Sequence, residues 1–124
     1  EEQLLFASGK YEINEEGKLA LKKLSDVLAS QSDLDIIVEG HTDSIPYNRG
    51  QLKDNWDLSV MRSTSVIKIM LQNKLLKPDQ LTAAGKAEFV PIKSNNTSEG
   101  RSVNRRIEMI LTPNLDDLFD LLSE

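Results

Sequence analysis

The chain has 124 residues, 39% of them hydrophobic and 28% charged, with a net charge of −5, values that fit one globular domain able to bury roughly two thirds of its unfolded surface. The acidic balance leaves no basic surplus for phosphate contacts, which excludes a nucleic-acid binder held by counterion release. The absence of cysteine excludes disulfides, thiolate chemistry and Cys-based zinc sites, and no apolar run reaches the ~18 residues needed to cross a bilayer.

In chain order, Leu4–Phe6 is a short apolar run closed by Ser8 and Gly9, read as a first strand. Asn14 offers an N-cap, and Glu15 and Glu16 suit the positive end of a helix. Ala20, Leu21, Leu24, Val27 and Leu28 follow at helical spacing and predict a helix over 15–30. Leu34–Val38 reads as a near-continuous apolar strand of the kind buried on both faces. A long polar loop follows. A second helix is predicted from Asp54 or Asp57 to Asn73, with Val66, Ile67, Met70 and Leu71 as its core stripe.

Lys77, Pro78 and Asp79 break that pattern, and Leu81–Ala84 is read as a short strand. Gly85–Gly100 reads as loop, and Arg106–Leu111 alternates with period two, as a half-buried strand does. In the last segment Leu115, Leu118, Phe119 and Leu122 form an amphipathic stripe, predicting a helix over 114–123. The order β-α-β-α-β-β-α implies a two-layer α/β sandwich in one domain, with a core over about 4–112.

The stretch GHTDSIPYNRGQLKDNWDLSVMR, Gly40 to Arg62, concentrates the groups that could carry chemistry. Asp43 lies just past the carboxyl end of a strand, where open α/β sheets place their ligands. Arg62 lies in the second turn of the next helix, and the two must be near neighbours because one loop system joins their elements. His41 has no second histidine and no ligand-spaced partner set, so no metal site is expected. A hydrogen bond to a loop carbonyl accounts for it more simply. Trp56 reads as a lid packing the loop onto the body. Alternation places Arg105 on the side of Ile107 and Met109, and Arg106 on the side of Glu108 and Ile110. Whichever arginine starts toward a packed face needs a carboxylate or carbonyl partner.

These pieces together resemble the OmpA-like peptidoglycan-binding domain family. Its pattern of GHTD, N-x-x-L-S-x-x-R-A, a Gly-to-Pro loop and G-R-x-x-N-R-R-V/I-E corresponds here to Gly40–Asp43, Asn55–Ser63, Gly85–Pro91 and Gly100–Glu108. Ser63 stands where the family usually has Ala. The loop from Asp43 to Asn55, with Ile45-Pro46 and Asn55-Trp56, looks closest to the MotB branch. The resemblance implies a β-α-β-α-β-β sandwich that binds the peptide stem of peptidoglycan through meso-diaminopimelate, without catalysis and without a cofactor.

By the same resemblance Asp43 accepts from the ligand ammonium and Arg62 grips its carboxylate. Thr42, Asn55 and Leu58 lie close by, Arg106 contacts the ligand or braces Asp43, and Phe6–Ser8 form a wall. It implies a periplasmic place in a Gram-negative envelope, for a parent protein anchored in a membrane and able to act as a homodimer. Two other readings stay open: a hydrolase using His41 and Asp43, and an assembly domain of a flagellar-motor-like or outer-membrane complex that has lost the ligand. The opening Glu1, in place of Met, implies a portion of a longer chain whose export signal or anchor lies elsewhere.

Overall fold

The computed structural model describes residues 2–31, 33–113, 115 and 121–123. Its elements are α1 (Glu2–Leu5), α2 (Glu15–Ala29), β1 (Leu34–His41), α3 (Asn55–Met70), a 3₁₀ turn (Pro78–Gln80), β2 (Leu81–Gly85), α4 (Ser98–Asn104) and β3 (Arg106–Pro113). The sheet order is β2-β1-β3, with β1 parallel to β2 and antiparallel to β3. The expected two-layer α/β architecture is present. The helix expected over 114–123 falls outside the described residues, apart from 115 and 121–123.

The expected first strand is instead the helical turn α1. Only Phe6 pairs, through an isolated antiparallel bridge to Ile13. Three apolar residues in a row carry no period-two signal, and Phe6 is fixed by core burial rather than by a ladder. From there α2 starts where its cap dictates: the Asn14 side-chain oxygen accepts from Gly17 N–H at 2.7 Å, satisfying one of the orphan donors of the first turn. Its inward stripe is Gly17, Leu21, Ser25 and Leu28.

β1 is longer than its apolar run, and among the described residues helices cover one of its faces. Ile36, Val38 and Gly40 are buried, whereas Ile37 and Glu39 on the opposite face are half-buried. On that far face only His41 is fully buried, and among the described residues the helices pack on the sheet from the side of α3. Small groups make that contact close. A Cβ on Gly40 would overlap the Ser59 backbone carbonyl, and one on Gly85 would meet Ser59 Oγ and Val60. Ser63 Oγ donates to Ala84 O at 2.8 Å, tying the same helix to β2. The core closes around Phe6, Ile13, Leu21, Leu28, Ile36, Val38, Val66, Met70 and Leu76.

The loop expected over 85–100 ends in α4. Thr97 caps it, accepting from Gly100 N–H at 3.0 Å. Asn104 is fully buried and serves as its anchor. It accepts from Ile92 and Lys93 N–H, and donates to Lys93 O and to the Asn95 side chain. This short helix is held by polar closure and lacks an apolar stripe, so periodicity could not reveal it.

Candidate functional site

The carboxyl end of β1, the amino-terminal half of α3 and the loop between them form the site. Thr42 N–H donates to Ala87 O at 2.9 Å, and Lys86 N–H donates to Gly40 O, which fastens the loop after β2 to the strand end. Ala87 is buried with φ +52°, a left-handed conformation that an L-alanine adopts only when its surroundings hold it. Its N–H donates to Ser59 Oγ. The strand end, α3 and this loop are thus locked together.

Asp43 is 6% exposed. One carboxylate oxygen accepts from Ile45 N–H at 3.0 Å, and the other accepts from Arg105 Nη1 at 2.6 Å. A carboxylate has about four lone-pair sites, so these two bonds leave acceptor capacity for a further donor. Thr42 Oγ1 donates to Asp43 O, and the Asn55 amide donates to Ile45 O at 3.1 Å, bracing the turn from both sides.

Arg62 is 3% exposed. Its Nε–H donates to Lys10 O at 2.7 Å, and its guanidinium lies 4.6 Å over the Phe6 ring. The carbonyl and the ring fix the plane of the fork. Of the segment expected to form a wall, Ser8 lines the cavity, with Gly9 beyond it, whereas Phe6 is buried against Arg62. Tyr47 O–H, from the opposite loop, donates to Gly9 O at 2.7 Å and closes the rim.

Between these groups lies a cavity of about 260 Å³ whose lining includes Thr42, Asp43, Asn55, Leu58, Arg62 and Arg105. Five of the six residues singled out from the sequence therefore converge. Arg106 does not. It donates to Val90 O at 3.0 Å and lies 3.4 Å from Glu108. The bracing of Asp43 falls to Arg105. The register pairs His41 with Arg106, which puts Arg106 on the sheet face away from the core, while Ile107 and Met109 pack against the core on the side of Arg105. Arg49 also lines the cavity, so among the described residues three guanidinium groups face one carboxylate there, in a chain that is acidic as a whole.

His41 is turned away from this cavity. Its Nε2 bonds Glu39 at 2.7 Å and lies 3.1 Å from Glu108, rather than meeting a loop carbonyl. The three side chains bring ligand-type atoms within 4.8 Å of one another, a grouping the sequence spacing did not show. Glu39 and Glu108 sit directly opposite each other across β1 and β3, a like-charge pair that destabilises a sheet. The imidazole N–H shared between them offsets that repulsion. Nδ1 is buried with no hydrogen-bond partner among the described residues. A metal-binding histidine has its second nitrogen held by an outer partner, so the cluster fits a cross-strand clasp better than a metal centre.

Trp56 is not a lid over the loop. It is 48% exposed and stacks on Phe89, with ring centroids 5.5 Å apart.

The OmpA family model matches residues 5–105. Motility protein B of Bacillus subtilis is 37% identical over 112 residues, covering 90% of this chain and 43% of that protein. This chain thus spans less than half the length of that relative. The periplasmic domain of Helicobacter pylori MotB superposes with a TM-score of 0.84 at 26% identity, over 98% of this chain and 78% of that one. The cell wall anchor of the type VI secretion system (T6SS) of Pseudomonas aeruginosa superposes with a TM-score of 0.81 at 28% identity, over 90% of this chain and 76% of that one. The sequence match and the shared fold agree: this chain belongs to the OmpA family, with MotB proteins among its relatives.

Proposed function

We propose that this domain is a non-catalytic anchor that binds the peptidoglycan stem peptide by reading the ammonium and carboxylate at the side-chain end of meso-diaminopimelate. The observation that carries the reading is the pairing of buried Asp43 with buried Arg62 in the lining of one open cavity of about 260 Å³. Asp43 keeps acceptor capacity for an ammonium. Arg62 presents a planar fork suited to a carboxylate, a geometry that a lysine cannot reproduce. Thr42 and Asn55 hold the turn, and Leu58 supplies the apolar wall against the ligand stem. Similarity to a protein described as a cell wall anchor and to a periplasmic MotB domain supports this reading and a wall-facing, periplasmic place in the envelope.

The hydrolase reading loses its constellation, since His41 is held by Glu39 and Glu108 and does not line the cavity. The assembly-domain reading predicts a closed pocket, whereas the described residues leave this one open. Two charged contacts on a small polar ligand give modest affinity, because ordering and desolvation offset much of the gain. Pairs or arrays of anchored copies on a repeating wall supply the rest by avidity. The test is a sacculus pull-down of the domain beside folded Asp43→Ala and Arg62→Ala variants. Retention of wild type and loss of both variants is expected. Wild type that stays folded in the supernatant refutes the proposal.

A further inference from the structure

The chain contains one tryptophan and three phenylalanines. It leaves that tryptophan and one phenylalanine on the surface together: Trp56 is 48% exposed, Phe89 is 64% exposed, and their rings meet at 36°. They line a shallow depression of about 380 Å³. Its rim is polar, with Asn48, Lys53, Asp54 and Glu88 surrounding the aromatic floor. Pro46, Tyr47, Asn48 and Asn55 line both this depression and the Asp43–Arg62 cavity. The two hollows are therefore neighbours that share one wall, the loop between β1 and α3.

We infer that the Trp56–Phe89 depression is a second subsite that takes a sugar ring of the glycan strand. This rests on the stem-peptide reading above and extends the same site. A pyranose presents axial C–H groups on one face and hydroxyl and amide groups around its edge. Two aromatic faces ringed by carboxylates, an ammonium and an amide match that pattern. A phosphate or nucleic acid would call for a cationic rim, and this rim carries two carboxylates to one lysine. A protein partner held by a buried hot spot would call for an apolar centre shielded by near-neutral contacts, whereas charged groups border these rings directly. Covalent connectivity favours the sugar too. Diaminopimelate is the third residue of the stem, so two residues separate it from the sugar, and an extended pair spans roughly 7 Å or more. A stem seated on Asp43 and Arg62 brings its own sugar within reach of the neighbouring hollow.

Because Trp56 is the only tryptophan, its fluorescence reports the subsite directly. Two ligands are titrated into the domain: the free tripeptide L-Ala–γ-D-Glu–meso-diaminopimelate, and the same tripeptide carried on its N-acetylglucosamine–N-acetylmuramic acid disaccharide. Both are expected to bind, the glycosylated form about three- to tenfold tighter, as one stacking contact gives. Only the glycosylated form is expected to shift Trp56 emission to the blue. Phe89→Ser, at an exposed ring outside the helices, removes that gain and leaves the tripeptide affinity within about twofold. Trp56→Ala, followed by calorimetry, does the same. Equal binding of both ligands with unchanged emission overturns the subsite and leaves the stem-peptide reading intact. Equal weakening of both ligands by Phe89→Ser also overturns it, showing the pair to be a support of the loop. Binding of neither ligand to folded wild type overturns the underlying reading and the subsite with it.

Discussion

Asp43→Asn separates recognition from folding. The substitution keeps the shape of the side chain and the acceptor for Ile45 N–H. It replaces the oxygen that meets Arg105 Nη1 at 2.6 Å with an NH₂ group, so two donors then face each other. A charge-assisted bond of this kind contributes about 1.5–3 kcal/mol. The Arg105 side chain is 26% exposed and can turn toward water, which lowers the expected loss to about 1–2 kcal/mol. For a domain of this size that corresponds to a fall in Tm of roughly 3–10 °C, and the protein stays folded at room temperature. Binding suffers more, because the ligand ammonium loses its only nearby anion among the described residues. Removing one partner of a desolvated charge pair costs about 2–5 kcal/mol, so the free tripeptide should bind at least ~30-fold more weakly. Calorimetric titration on the folded variant, with circular dichroism as the check on structure, measures this. An Asp43→Asn domain that binds within threefold of wild type would show that the ammonium is read elsewhere, and two-ended recognition would be wrong.

Arg62→Lys keeps the charge and loses both the Nε–H bond to Lys10 O and the stack on Phe6. Chemical denaturation should show a loss of about 2–3 kcal/mol, and titration at least a tenfold loss of affinity. Arg105→Ala and Asp43→Asn remove the same ion pair, so their destabilisations should be less than additive, with a coupling of about 1–2 kcal/mol in a double-mutant cycle; strict additivity refutes the bracing role. Arg106→Ala should leave tripeptide affinity within about twofold, since that arginine serves Val90 and Glu108 and does not line the cavity. Gly40→Ala drives a methyl into the Ser59 carbonyl of α3 and should cost about 3 kcal/mol in urea denaturation, the upper end for overpacking, because backbone cannot swing aside.

The elements legible in the sequence were those that announce themselves by period or cap. Asn14 and the Leu21–Leu28 spacing located α2, and the buried stripe of α3 located its face. Asp43 and Arg62 were legible because a strand end and the following helix fix each other across a single loop. The helix α4 was hidden because its stability comes from the Thr97 cap and the buried Asn104 amide, which no hydrophobic pattern encodes. Alternation divided Arg105 from Arg106 correctly, but which side faces the site depends on the register that pairs His41 with Arg106. That register is long-range information. The Glu39–His41–Glu108 clasp was invisible for the same reason: two of its members lie two positions apart and the third is 67 positions beyond His41. Trp56 was misread because an aromatic residue after a loop packs inward more often than it stands on the surface.

What a binder of a small zwitterion needs most is a fixed spacing between its two charged readers. Asp43 lies two residues past the end of the central strand and Arg62 in the third turn of α3, so their spacing follows the distance between those two elements. That distance is set by the absence of a side chain at Gly40 and Gly85 and by the small hydroxyls of Ser59 and Ser63 opposite them. It is held by the bond from Ser63 to Ala84 and by the bond from Ala87 N–H to Ser59. The first residues of the loop between strand and helix, Thr42 and Asp43, are buried against the strand end, and the more exposed stretch beyond them sets neither charge. It supplies the rim, tied down by Tyr47 to Gly9 and by Asn55 to Ile45. On the proposed reading, recognition therefore costs little ordering at the two charged ends, and sequence change in the outer part of the loop is free to alter the rim and the neighbouring aromatic hollow without moving Asp43 relative to Arg62.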